Sequence, residues 1–430
     1  MMIYKKAGEW FDAVQFLVLL IISPLFIFPK TRFWWIFLIV PVLWTVRKIL
    51  CGRFMERTPV DVPIFIFLVA LLVTTLRVTD WDHSLPKIAG VFFAVAFFYG
   101  MAALLQTEKR IRALTFLFLS GGFLFGIVGL LGMPTFKEKH LHLLMRIKDR
   151  IPRIDFNLPG AELGFAPTVI GGILLLVIPL FLVMIYMTEG WKRMVPTLGL
   201  LITFGVLILT QSRGAWAGLV FSTLIIAFLI AFQWIQKKKK VVAITVAILL
   251  TALFITAVGI YTQSNAPQLR PGIKQAEGTL LFRLQLWDLT IPLIRDNPLW
   301  GIGLNNFRIQ VPEVRFFLSH AHNQFLHIAA EMGIPASAAF LAILIATGFM
   351  CVHVWKHASD RWMKMTVLGL GWGQLAHFFF CLTDAIPPGA KAGLLFWISL
   401  GLITVIFKKT RGVGMQSPFE KPLLDSEKLL

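Results

Sequence analysis

The chain reads as an all-α integral membrane protein of about twelve helices. Three features point there. It is 57% hydrophobic and only 15% charged, with a mean hydropathy of +0.77, and a soluble domain of 430 residues cannot bury that much apolar surface behind a polar shell. Apolar stretches long enough to cross a bilayer, or nearly so, recur along its whole length. Lys and Arg also alternate in density between successive connections, as the two faces of a membrane require. The formal net charge of +19 then matters for where the cations sit. On a membrane protein they serve anchoring to anionic membrane lipids or binding of phosphate-bearing ligands; neither use calls for nucleic acid.

The first apolar run, 13–28, follows Lys5 and Lys6 as a signal peptide would, but Pro29-Lys30-Thr31-Arg32 comes next and no small-residue cleavage site does. A retained signal anchor is expected. Further runs fall at 33–46, 62–76, 88–105, 112–131, 168–187, 195–210, 215–235, 241–261, 336–354, 365–383 and 390–407, giving twelve candidate spans. The three cysteines, Cys51, Cys351 and Cys381, are too few for a disulfide framework and are expected as free thiols. With the N-terminus inside, the inner connections hold 23 Lys and Arg and the four short outer ones hold six. The run Lys237 to Lys240 is the strongest single marker of the inner face.

Two outer segments exceed what a connection needs, at 132–167 and 262–335, and loops of that length are usually functional. The expected organisation is therefore spans one to nine over 1–261, a long outer loop at 262–335, three spans over 336–407 and an inner tail at 408–430. In the first loop, Arg146, Arg150 and Arg153 are spaced for one side of a short helix. The second predicts two helices, one ended by Asn297-Pro298 and one over roughly 323–334, with PLWGIGLNNF as a turn between them.

Chemistry-bearing residues concentrate on that outer face. Arg213 stands in the shortest outer turn, where Ser212 can cap the following helix and leave its first amides facing out. An arginine fork beside a helix N-terminus suits an anion, although a snorkelling interfacial arginine needs no ligand. The stretch SHAHNQFLHIAAEMGIP carries His320, His322, His327 and Glu331. One continuous helix would put His320, Gln324, His327 and Glu331 on a common face. A helix capped instead by Asn323 leaves His322 at its mouth, free to act as a base. Interfacial histidines bonded to backbone and a metal site without standard spacing are the other readings. Within the spans, His377 and Gln374 are the main polar exceptions, and a satisfied histidine is the default for the former.

Three stretches, TQSRGAWAGL around Arg213, FRLQLWDLTIPLIRDNPLWGIGLNNF from Phe282 to Phe307 and HNQFLHIAAEMG from His322 to Gly333, together resemble the O-antigen ligase and O-antigen polymerase superfamily of bacterial envelope glycosyltransferases. The ligase pattern of His, then Asn, Ser or Gln, nine residues and Gly-x-x-Gly is met by His322, Asn323 and Gly333, with Ala336 in the last glycine position. The resemblance implies a GT-C-like membrane architecture with one long periplasmic loop before the last three spans, in the bacterial inner membrane and with both termini cytoplasmic. It implies a donor glycan on undecaprenyl diphosphate and a lipid A-core acceptor. The roles it implies are His322 as the base for the acceptor hydroxyl and Arg213 as the cation on the donor diphosphate, with Arg283 at a recurrent family position. His320, Arg146, Arg150 and Arg153 are further substrate-binding candidates. Inversion of the anomeric centre is expected, with no metal and no cofactor. A polymerase joining lipid-linked repeats and a relative that glycosylates protein share these motifs. A secondary transporter fits the span number but not the scarcity of ionisable residues within the spans.

Overall fold

The computed structural model describes residues 2–27, 38–52, 54–105, 107–134, 142–155, 165–234, 280–311, 320–386, 389 and 393–412. Among these, every regular element is a helix. Helix α1 spans Met2–Ile27, α2 Ile39–Cys51, α3 Asp61–Thr75, α4 Trp81–Leu104 and α5 Glu108–Gly132. After the short α6 (His142–Asp149) come α7 (Pro167–Leu174), α8 (Ile178–Met187), α9 (Met194–Thr210) and α10 (Arg213–Trp234). The outer segment contributes α11 (Leu280–Asp296), α12 (Phe307–Gln310) and α13 (Gln324–Met332); α14 (Ile334–His357), α15 (Arg361–Cys381) and α16 (Gly393–Thr410) complete the bundle.

Seven helical stretches among the described residues are long and apolar enough to cross a membrane: α4, α5, α7 with α8, Gly190–Thr210, Arg213–Ala231, α14 and α16. The remaining expected spans are accounted for individually. Helix α3 and the Trp10–Ile22 part of α1 are apolar but shorter. The 13 residues of α2 extend about 20 Å, short of the ~30 Å hydrocarbon core. Helix α15 has the length, at 21 residues, but carries Arg361, Lys364, Gln374 and His377. The run 241–261 and the lysines at 237–240 lie outside the described residues.

The expected span at 168–187 is divided. Its helix breaks at Leu175–Val177, where the amides of Leu176 and Val177 donate three residues back, to Ile173 and Leu174, instead of four. That leaves the Gly172 carbonyl without its usual partner, and His377 Nδ1 lies 3.0 Å from it. Irregular backbone at membrane depth persists only where protein replaces the lost bonds. His377 is thus a satisfied structural histidine, as its residue type suggested.

The core is one large cluster running through the bundle, with Phe67, Phe93, Phe97, Phe98, Phe380 and Trp397 among its buried side chains. Pairs such as α10 with α15, α8 with α15, α3 with α14 and α4 with α16 pack directly. At one end of the bundle, Arg47 is buried between Asp12 (2.8 Å) and Glu56 (2.9 Å), and Lys408 adds to Glu56. At the other end a second, smaller core forms from Phe282, Leu286, Ile302, Phe307, Val311, Ala321 and Ala330. It welds α11, α12 and α13 into a cap over the turns that follow α3, α9 and α15.

Candidate active site

Asn323 sets the local geometry. Its side-chain oxygen accepts from the amides of Phe325 and Leu326, each at 3.0 Å, and so caps α13. The residue before it, His322, takes a left-handed backbone with φ +47°, which turns its ring away from the helix and toward the chain end of α15. There its Nδ1 lies 3.1 Å from Oδ1 of Asp384. The amide of His322 meets Nδ1 of His320 at 3.3 Å, and Nε2 of His320 lies 3.8 Å from the same Asp384 oxygen. Trp287 of α11 donates to the Ala321 carbonyl at 3.1 Å and fastens this strap to the cap.

Those contacts assign protons. An amide can only donate, so Nδ1 of His320 accepts and its hydrogen sits on Nε2. A carboxylate can only accept, so His322 presents Nδ1–H to Asp384 and keeps a lone pair on Nε2. Asp384 is 3% exposed. Burial pushes its carboxyl up, but the hydrogen bond from His322 and its electrostatic interactions with His322, His320 and the Arg283 guanidinium prevail and lower it to about 2. His320 is lowered to about 4 by burial and by its neighbour His322, against the pull of Asp384.

The arginines reach the same place from two other elements. Arg283 on α11 donates from Nε to the Thr383 carbonyl at 2.7 Å, one residue from Asp384. Arg213 opens α10, where Gln211 at φ +50° ends α9 and Ser212 Oγ accepts from the Ala215 amide at 3.4 Å as the cap. Gly214 follows, and a Cβ there would stand 2.6 Å from Thr383 Oγ1. Glycine therefore lets the α10 N-terminus close on the Thr383–Asp384 segment. Burial lowers the Arg283 guanidinium; Asp384 opposes the effect and the positive charge of Arg213 adds to it. Arg213, Arg283, His320 and His322 thus converge on one short segment.

Residues 198–341 match the O-antigen ligase family model. The match spans a third of the chain and supports an O-antigen ligase-type protein. No curated protein matches the chain. Within the matched stretch lie Arg213, Arg283, His320 and His322; Asp384 and Lys87 lie beyond it.

Behind these histidines is a second polar layer. Lys87 on α4 donates to the side chain of Asn305, which holds φ +65°. Glu331 on α13 is buried, accepts from the Phe307 amide at 3.3 Å and stands 3.5 Å from His327. Burial raises Glu331 against the opposing charge of Lys87, and burial drives His327 well below its ordinary value. The expected shared face of Gln324, His327 and Glu331 is present and buried, but it starts after the Asn323 cap, so His320 approaches it from the loop.

Two expectations need correction or addition. Arg146, Arg150 and Arg153 do not line one helix: α6 ends at Asp149, so only Arg146 lies on it. All three are exposed, and Arg153 pairs with Asp155 at 2.9 Å. Among the described side chains of α6, Lys148 is the buried one. Asp384 was missed by sequence reasoning, yet a signal existed. It is the single acidic residue between Asp360 and Glu420, placed just past a span on the same face as the histidines.

Proposed function

We propose that the protein is an O-antigen ligase that transfers a glycan from undecaprenyl diphosphate to a sugar hydroxyl of lipid A-core on the periplasmic face, with inversion and without a metal. One observation carries this: Asp384 fixes the tautomer of His322 beside the segment that Arg283 binds and the Arg213 turn abuts.

The reaction follows from those groups. Nε2 of His322 takes the proton of the acceptor hydroxyl, and the oxygen attacks the anomeric carbon from the face opposite the diphosphate. The new glycosidic bond forms as the bond to the diphosphate oxygen breaks, and undecaprenyl diphosphate departs with the bonding pair. Arg213 and Arg283 neutralise the charge that grows on that oxygen, in a partly dry site where fixed cations act strongly. Asp384 stabilises the imidazolium and holds its ring. The base, the carboxylate that orients it and the two arginines supply every step without a metal ion. His320 pairs with the backbone to orient the strap, and the exposed Arg146, Arg150 and Arg153 suit phosphorylated acceptor or membrane lipid.

Transfer from a lipid-linked glycan to purified lipid A-core tests the proposal. General-base removal usually costs about 10²–10⁴-fold, so His322→Ala should lose at least two orders of magnitude while inserting and expressing normally. A fully active variant would remove the base role. Activity should persist in excess chelator; a requirement for added divalent ion would refute the metal-free mechanism. Gene deletion separates ligase from polymerase. Loss of all long-chain glycan from the core, with lipid-linked polymer accumulating, marks a ligase, whereas capping by one repeat marks a polymerase.

A further inference from the structure

The trio of His320, His322 and Asp384 has a second capability that glycan transfer does not use. Nε2 of His320, Nδ1 of His322 and Oδ1 of Asp384 all lie within 4.8 Å of one another, the oxygen being 3.8 Å and 3.1 Å from the two nitrogens. Ligands ~2.0–2.1 Å from a tetrahedral zinc ion stand roughly 3.3 Å apart, so small ring movements would close the set around an ion. Two imidazoles and a carboxylate with an open fourth position suit a borderline ion such as zinc better than Mg²⁺ or Ca²⁺.

We propose that these three side chains form a reversible zinc site whose occupation turns the transferase off. The inhibitory half rests on the base role assigned to His322 above. The proton count explains it. A zinc ion takes the lone pairs on Nδ1 of His322 and Nε2 of His320, and each neutral imidazole keeps its one hydrogen by carrying it on the other nitrogen. Nε2 of His322 then bears hydrogen and cannot accept the acceptor's proton. Asp384 is engaged by the ion and no longer balances an imidazolium. Where both rings start neutral, the change of tautomer releases no net proton. Zinc also breaks the 3.3 Å bond from the His322 amide to His320 Nδ1, since that nitrogen becomes protonated. That loss makes the site weaker than a dedicated structural one and its occupancy reversible.

A second histidine pair complicates the measurement and is removed first. His353 and His357 stack at 4.3 Å near the opposite end of α14, one turn apart on a helix, a spacing able to capture a divalent ion. Full-length protein carrying His353→Gln and His357→Gln, in lipid nanodiscs, is titrated with zinc chloride and separately loaded with Co²⁺ for visible spectroscopy. One ion per chain and a tetrahedral cobalt spectrum are expected. His320→Gln should weaken zinc binding at least tenfold and abolish the spectrum, and Asp384→Asn should do the same. Transfer activity should fall over the zinc range that fills the site and return with chelator. Equal binding by His320→Gln marks an adventitious ion only and overturns the site; full transfer with the site filled overturns the switch. Absence of transfer from the metal-free enzyme would instead count against the functional reading, while the cobalt spectrum would still decide the site.

Discussion

Asp384 shows how much one carboxylate decides. Its Oδ1 takes the Nδ1–H of His322 and, at 2.8 Å, the Ala385 amide, so a single oxygen fixes both the ring and the turn that carries it. Asp384→Asn preserves the shape but offers an amide that can donate as well as accept, which weakens the tautomer preference and removes the charge opposite a developing imidazolium. Transfer should fall roughly 10–100-fold, the loss typical when a carboxylate that orients a metal-bound histidine is removed, and the acid limb of the pH–activity profile should move to lower pH. A purely structural role would leave that limb where it is. The same carboxyl links stability to pH. Its folded-state value, lowered to about 2, lies below an unfolded value of ~3.9, so its stabilising contribution is complete above about pH 4 and is lost as pH falls toward 2. Thermal unfolding of the wild type should therefore drop more steeply across that window than that of Asp384→Asn. Arg213→Lys tests a different property: a compact ammonium cannot reproduce a two-pronged guanidinium contact, so kcat should fall about tenfold or more, and equal kcat would refute a bidentate contact. His322 and its Asn323 cap were legible in sequence because both act through neighbours a few residues away. Asp384 was not, because its partner is 62 positions distant and only the fold joins them.

At the scale of elements, PLWGIGLNNF is a clamp more than a turn. Gly301, Gly303 and Asn305 all have positive φ, at +65°, +106° and +65°, and the glycines allow backbone approaches that any Cβ would block. Asn306 is the staple. Its Oδ1 accepts from Thr79 Oγ1 at 2.8 Å, and its Nδ2 donates to the carbonyls of Arg77 at 2.8 Å and Ile302 at 2.9 Å. Those bonds join the cap to the α3–α4 turn, and Ser84 Oγ adds one to the Leu304 carbonyl at 2.9 Å. Asn306→Ala would leave several buried partners unmet, at ~1–3 kcal/mol each where no water enters. It should loosen the cap and raise hydrogen exchange in α11 and α13 before the spans respond; unchanged exchange there would contradict the clamp. The composition of this stretch announced irregular backbone but not its destination, since glycine and asparagine report permitted dihedrals and not partners. The break between α7 and α8 was less legible still. The 168–187 run is apolar throughout, so periodicity and hydropathy cannot register three residues of tightened helix. Gly373 on α15 is what accommodates it, because a Cβ there would stand 2.7 Å from the Leu176 carbonyl.

Over the whole molecule, charge asymmetry and the placement of turns make one argument. The turns after α3, α9 and α15 and the loops around α13 meet at one end, which holds the candidate site, while Arg47, Glu56 and Lys408 gather at the other. We propose from the cation count that this second end faces the cytoplasm, by the rule that short loops rich in Lys and Arg stay inside. Donor glycan on a polyprenyl carrier would then reach the first end from the outer leaflet, where nucleotide sugars are absent. Impermeant thiol labelling tests the assignment in a variant whose three native cysteines are replaced. Asp82 starts α4 beside the cap and is exposed; Trp191, 74% exposed, lies in the turn between α8 and α9 at the opposite end. A cysteine at 82 should be labelled in intact spheroplasts, and one at 191 only after permeabilisation. The reverse pattern would put the histidines in the cytoplasm, where His322 would face no exported glycan. Equal labelling of both sites in intact cells would mean that the two turns do not lie on opposite faces, and the chain could not span the membrane in the proposed order.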